Sequence, residues 1–538
     1  TGAVTVVSGN DVSLRDTNTM ALGASTISGD ATLVTGGDIT QTGALDANGA
    51  TSITAGSGNN ITLNNSSNDF SGVVSVSSAY DVSLQDANSI ELGAWNITGD
   101  LTLVVDGTIS QSGALDISLD TSLTAGSGNS IDLSNSANDF GNVVTVVSGN
   151  DVSLRDANAF EFGASSISGD LSLVTGGDVL QSGALNIDGT TSITAGANDI
   201  TLNNTGNDFS GGVSVVSGDT IRLTDTNAMT LSGVTASGII DIATQTGDLT
   251  VAGNIESTFN GSTTITLNAG KSESAGTASG GNIIISGSPT ITVDSGARAI
   301  LYTGSISGSS GLTDFIGSGS GNFRYNSDET TANYVISLGT GNNAIYREQP
   351  TVTVTASDHA ITYDASAYSG GNGVTSSGYQ NGDTNAILTG TVSYGGNSQG
   401  AENAGTYTIT PSNLANGLGY GLSYTSGTLT INKAAITIST SDVSQTYDGT
   451  TSANGTAIVT SGSLFGSDSL SGGSFTFDDK NVGTNKTVTT AGVTVNDGNS
   501  GNNYAVTYAN NTSSTITQKV ITISGSSAGN KVYDGNTT

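Results

Sequence analysis

The sequence predicts an all-β protein: a right-handed parallel β-helix followed by small β-sandwich-like or β-grasp-like tandem modules. Three observations lead there: a long internal repeat of about 70 residues, apolar and polar side chains alternating within it, and a switch after Pro350 to a second repeat of about 85 residues. Residues that favour helices do not recur at helical spacing anywhere; Ser, Thr, Gly and β-branched residues dominate instead.

The first repeat is seen by comparing the chain with itself. DVSLRD begins at Asp11, DVSLQD at Asp81 and DVSLRD again at Asp151, while NDF occurs at Asn68, Asn138 and Asn207. Each repeat divides into three similar stretches of short strands and Gly/Asn/Ser turns, so one third of a repeat, about 23 residues, is the expected coil. Met20 and Leu22 align with Ile90 and Leu92 and with Phe160 and Phe162, and these should point inward. Ala21, Glu91 and Glu161, between them, should face solvent. Carried to Tyr346, the pattern gives a solenoid domain over 1–346 with roughly 15 coils, about 70 Å long at ~4.8 Å per coil.

In the second repeat, ITYDA holds Tyr363, QTYDG holds Tyr447 and VYDGN holds Tyr533, and Lys433 and Lys519 each precede an ITIS string. The expected modules are 351–433, 434–518 and a further one beginning over 519–538, which would make this chain part of a longer one.

Composition narrows function. Lys and Arg total 12 against 45 Asp and Glu, a formal net charge of -33 without a basic cluster, which argues against nucleic acid as a partner. No Cys is present, so disulfides and thiolate metal sites are excluded. No apolar run has the length of a transmembrane segment.

With these motifs in view, the solenoid part resembles filamentous-haemagglutinin-like adhesins exported by two-partner secretion. The strings ITYDASAY, AGTYTITP and GYGLSYTSGTLTINKA resemble MBG modules, and QTYDGTT, DDKNVGTNKTV and GNNYAVTY resemble YDG modules. The resemblance implies a secreted protein of the bacterial outer cell surface, passed through an outer-membrane secretion barrel. It further implies attachment to extracellular polysaccharide, a host glycan or cell surface, or to itself in fibres and biofilm. The alternatives are a passive structural stalk or fibre subunit, and a β-helix polysaccharide lyase or hydrolase.

Individual residues favour the non-enzymatic reading. Asp16, Asp86 and Asp156 recur three expected coils apart, about 14 Å, too far for a glycosidase pair, and are expected to cap turns. His359 is the single histidine, and its counterpart in the next module is Val443. Calcium is the one cofactor considered, at NDGNSGNN over 496–503, although Asn/Asp/Gly turns need no ion. Asn64, Asn65, Asn203 and Asn204 should stack as satisfied amides, and Phe70, Phe140 and Phe209 should pack in the core or at corners rather than offer a sugar platform. Trp95 stands where neighbouring repeats have Ser25 and Ser165, so it is expected to face outward as a candidate ligand or fibre contact. Tyr447 and Tyr533 are expected to be corner tyrosines bonded to backbone. Lys271–Gly281 (KSESAGTASGG) is the one conspicuous insertion, expected as a flexible loop.

Overall fold

The structure, a computed structural model, describes residues 2–527, 529, 532, 533 and 535. It is nearly all β, about 2% helical. The chain forms two compact units: Thr1–Thr351 with Gly378–Thr389 and Asn416–Gly421, and Val352–Ser377 with Gly390–Ala415 and Leu422–Thr538.

The first unit is a parallel solenoid of about 16 turns. On one side Val12–Asp16 stacks in parallel on Ala31–Thr35, then Thr51–Thr54, then Val74–Ala79. On the other, Met20–Leu22 stacks on Ile39–Gln41, then Ile61–Leu63, then Val82–Asp86. The first ladder thus steps from Val12 to Ala31, to Thr51 and to Val74, one coil at a time. A coil is therefore about 20 residues long, shorter than the third of a repeat that the sequence suggests.

This difference changes the symmetry. Each repeat contains seven half-coils, an odd number, so it closes after three and a half turns. Val12–Asp16 and Val152–Asp156 lie in one long sheet, while the equivalent Val82–Asp86 lies in the sheet opposite. Successive repeats are thus related by a half-turn about the axis. The sequence shows the repeat but not where the chain turns, because corners of different length carry the same Gly, Ser and Asn residues.

The core is built from stacks of like on like. Leu14, Leu33, Ile53, Val76, Trp95 and Leu115 lie in successive coils at one register position. Met20, Leu22, Ile90, Leu92, Phe160 and Phe162 are all buried, and Ala21, Glu91 and Glu161 are not, as expected. Phe70, Phe140 and Phe209 are also buried, and in the third repeat Phe160 meets Phe140 and Phe162 edge to face. The ladder ends with Arg298–Thr303, Gly341–Tyr346 and Phe323–Arg324. One helix turn, Leu312–Ile316, stands where none was expected.

The second unit repeats one module plan. Thr351–Ala356 lies between Val374–Ser377 and Gly421–Thr425, and a four-stranded sheet runs His359–Thr362, Gly427–Asn432, Gly405–Ser412, Ser393–Gly395. In the next module Ala434–Thr440 lies between Ala457–Ser461 and Tyr504–Tyr508, and the four-stranded order is Ser444–Thr446, Asn511–Thr517, Gly483–Asn496, Ser469–Phe477. Both modules are mixed sheets, with parallel and antiparallel pairs side by side. One apolar core runs through both, from Ala356, Ile409 and Leu429 to Ile436, Val493 and Tyr504. The start of the further module expected at 519–538 lies in part outside the described residues; Val520, Ile521 and Ile523 are exposed and form no strand.

Candidate functional site

The expectation for Trp95 is overturned: the side chain is 2% exposed, in the interior stack between Val76 and Leu115. Its alignment with Ser25 and Ser165 holds, but all three residues are buried. Leu92 and Gly93 are both buried, so the alternation slips by one at the bend and returns Trp95 to the inside. The indole Nε1 donates to Val74 O at 2.7 Å. Ser25 and Ser165 meet the same need, each donating to the glycine carbonyl two residues before it and accepting from the amide of Val6 or Val146. A small polar residue in a repeat thus marks backbone hydrogen bonding, not exposure.

The recurring aspartates do cap turns. Asp86 accepts from the amides of Phe70 (3.2 Å) and Asn88 (2.9 Å), and Asp156 from Phe140 and Asn158. Asp225 repeats the pattern with Phe209 and Asn227. Burial pushes each of the three up to about 6, against the pull of those amides. Consecutive members lie on opposite sheets, three and a half coils apart, so they do not form the single column expected.

The amide ladder also falls elsewhere. Asn65 and Asn204 cap their own turns, on Ser67 N and Gly206 N. The paired amides are Gln41 with Asn68, Gln111 with Asn138 and Gln181 with Asn207, each a two-way bond of 2.8–3.0 Å across adjacent coils. Asn of the NDF string was the available signal, because a buried polar residue repeated beside Phe requires a partner.

Lys271–Gly281 is packed rather than loose. Arg347, buried beneath it, donates to the carbonyls of Ala269, Ser279 and Gly281, and Ala275 N donates to Asp328. Beside it opens a cleft of about 430 Å³ lined by Lys271, Glu273, Tyr302, Asp328 and Glu329 among others. Its polar groups are largely engaged with one another. Glu329 holds Lys271 at 3.2 Å and Asn268 at 2.9 Å, while Asp328 accepts from Thr330 and Thr331.

In the second unit, His359 Nδ1 lies 3.0 Å from the Tyr368 hydroxyl, a phenol partner rather than a carboxylate. Asp497, in the string considered for calcium, accepts from the amides of Asn499 and Gly501 through Oδ1 and from the amide of Asn503 through Oδ2, so it organises its own turn. Among the described residues no group of three or more His, Asp or Glu is placed to hold a metal ion, and no helix is long and apolar enough to cross a membrane.

Tyr363, equivalent to Tyr447, bonds a carboxylate: its hydroxyl donates to Asp468 at 2.9 Å, and Tyr504 donates to the same oxygen at 2.7 Å. Burial first, and Asp468 second, push Tyr363 up to about 12. Tyr533, the last of the series, is exposed. The first unit holds the same constellation, with Tyr325 and Tyr420 both donating to Asp383, at 2.9 and 2.8 Å.

Three families match the sequence: repeats of unknown function (DUF5649) at 9–77, 79–147 and 149–216, the MBG domain (YGX type) at 352–430, and the YDG domain at 432–513. The chain is a repeat protein with MBG and YDG modules. That combination, on a parallel solenoid, is consistent with a surface-associated repetitive protein. No curated protein matches the chain, and no solved structure does. The DUF5649 matches fall within the solenoid, and the MBG and YDG matches each cover one module of the second unit.

Proposed function

We propose that this chain is a non-catalytic segment of a secreted bacterial surface adhesin or matrix scaffold, of the filamentous-haemagglutinin-like kind. One observation carries the reading: the half-turn relation between repeats. It presents the same surface on opposite sides of the solenoid in turn, and returns it to a given side every seven coils, about 34 Å. Contacts too weak to act singly become strong when a rigid scaffold repeats them at fixed spacing. The negative surface favours neutral polysaccharide or glycan over acidic ones. Stacking coil on coil also suits a chain that emerges unfolded from an outer-membrane barrel, because each coil finds its template in the one before.

The test is retention of the purified chain on arrays of neutral and acidic exopolysaccharides and host-type glycans, with product analysis of each well. Retention on neutral glycans, lost when the chain is unfolded, supports the adhesin. Retention on none leaves a passive stalk, and release of reducing or unsaturated ends replaces both with an enzyme.

A further inference from the structure

The two tyrosine–aspartate constellations are copies of one joint. Asp468 follows Asp383, and Tyr504 follows Tyr420, at the module period of about 85 residues. In each copy the amide three residues before the aspartate donates to the second tyrosine's hydroxyl: Gln380 N to Tyr420 at 2.9 Å, Phe465 N to Tyr504 at 2.8 Å. In each, the aspartate's own amide closes that turn, Asp383 N on Gln380 O and Asp468 N on Phe465 O. The tyrosine rings meet as well, Tyr325 with Tyr420 at 4.4 Å between centroids and Tyr363 with Tyr504 at 5.4 Å. A turn aspartate and a tyrosine of one module therefore receive a tyrosine from the preceding part of the chain: Tyr325 in the first copy, Tyr363 in the second.

Within the second unit the joint has a polar wing. Asn503 Oδ1 accepts from Ala404 N at 2.8 Å and its Nδ2 donates to Asn403 Oδ1 at 3.0 Å. The receiving face of the first module is thus Tyr363 together with the Asn403-Ala404-Gly405-Thr406 string.

The second module carries the same face: Tyr447 stands for Tyr363, and Asn481-Val482-Gly483-Thr484 for 403–406. Among the described residues no Asp and no second Tyr lines it. Tyr447, Asn481 and Val482 instead line an open hollow of about 480 Å³ with Gln518, Lys519 and Ile521, and Val482 is 45% exposed. The segment leading away from it, Lys519-Val520-Ile521-Thr522-Ile523, repeats Lys433 and the strand Ala434–Thr440 with one residue fewer between the lysine and ITIS, yet its apolar residues are bare.

We infer that Tyr447, Asn481 and Val482 form a docking socket for one occupant: the aspartate turn and tyrosine of a third module of this kind, joined covalently at Lys519. The YDG tyrosine is then the forward half of a joint, which explains its recurrence without a binding or catalytic role. The inference is independent of adhesion and concerns how modules are fixed end to end.

The test is a tandem chain in which residues 434–518 are repeated directly after Lys519, so that Tyr447 of the first copy meets Asp468 and Tyr504 of the second. Amide exchange at Val482 should slow about tenfold or more relative to the 538-residue chain, because the equivalent Ala404 amide is bonded in the filled joint. Tyr447→Phe should lower the unfolding midpoint of the tandem chain and leave that of the original chain unchanged, whereas Tyr363→Phe should lower both. Unchanged exchange at Val482, or a silent Tyr447→Phe in a folded tandem chain, overturns the socket. Concentration-dependent dimerisation of the original chain abolished by Tyr447→Phe would overturn the covalent occupant in favour of a second copy. If the tandem chain does not fold, the premise is tested in the original chain: Tyr363→Phe and Asp468→Asn must be non-additive, and additive effects end the argument.

Discussion

At the scale of the residue, the solenoid interior is set by compensation between neighbours in the same repeat. The first repeat combines Met20, Leu22 and Ser25, the second Ile90, Leu92 and Trp95, and the third Phe160, Phe162 and Ser165. The second repeat places a ring after the bend, the third places two in the strand before it, and the first has none at these positions. Trp95→Ser should therefore cost about 3–5 kcal/mol in denaturant unfolding, although serine is what the adjoining repeats use. Ile90→Phe with Leu92→Phe should restore part of that loss, and no recovery in the triple variant would show that the positions do not share space. The buried carboxylates make a second prediction at this scale. Asp86, Asp156 and Asp225 sit near 6 when folded, against 3.8 for the free side chain, so folding favours their protonated form. That stability is complete below about 3.8 and is lost as pH rises through 6, by about 3 kcal/mol for each group. Unfolding midpoints should accordingly fall between roughly pH 4 and roughly pH 6 and level off above that. Asp86→Asn should flatten the slope by about a third, whereas relief of general charge repulsion alone would leave it unaltered. The inward residues of the strands and the capping role of the aspartates were legible in the sequence. The inward turn of Trp95 was not, because a backbone bend, rather than residue type, decides it.

At the scale of the element, corners rather than strands carry the strictest demands. Gly43, Gly113, Gly183 and Gly253 occupy one corner in four successive repeats. A Cβ at Gly113 would lie 2.2 Å from Ala94 N of the coil before, one at Gly183 2.1 Å from Ala164 N, and one at Gly253 1.8 Å from Ser232 O. Backbone presses on backbone there, so no side chain can rotate aside. Gly113→Ala should cost roughly 2 kcal/mol or more, read from the unfolding midpoint. Gly58→Ala, where a Cβ meets nothing within 4 Å, should change it by less than about 0.5 kcal/mol. Equal effects at the two sites would show that the coils relax apart. The strands were legible because alternation reports burial directly. Coil length was not, since it depends on which Gly, Ser or Asn turns the chain and which merely spaces it. The buried Arg324 and Arg347 were equally hidden: their partners are backbone carbonyls, which leave no mark on the sequence.

At the scale of the whole molecule, the unit of construction differs from the unit of sequence. The solenoid is laid down in half-coils, and an odd number of them per sequence repeat puts each motif on both sides in turn. A solenoid whose strands pair only with the coil before and the coil after should accept removal of any whole coil and resist removal of a fraction. Val82–Asp100 is one whole coil, and without it Leu101–Val105 can stack on Ile61–Leu63 as Val82–Asp86 does, with Leu115 brought over Val76. Deleting residues 82–104, the longer coil obtained by dividing the repeat by three, also removes four of the five residues of Leu101–Val105. The shorter deletion should unfold within roughly 5 °C of the parent and keep its β signal by circular dichroism. The longer one should unfold at least about 10 °C lower, because Ile61–Leu63 loses the strand that covers it. Should both deletions prove equally mild, stacking would be too permissive to define a coil, and the fixed spacing on which repeated surface contacts depend would be lost with it.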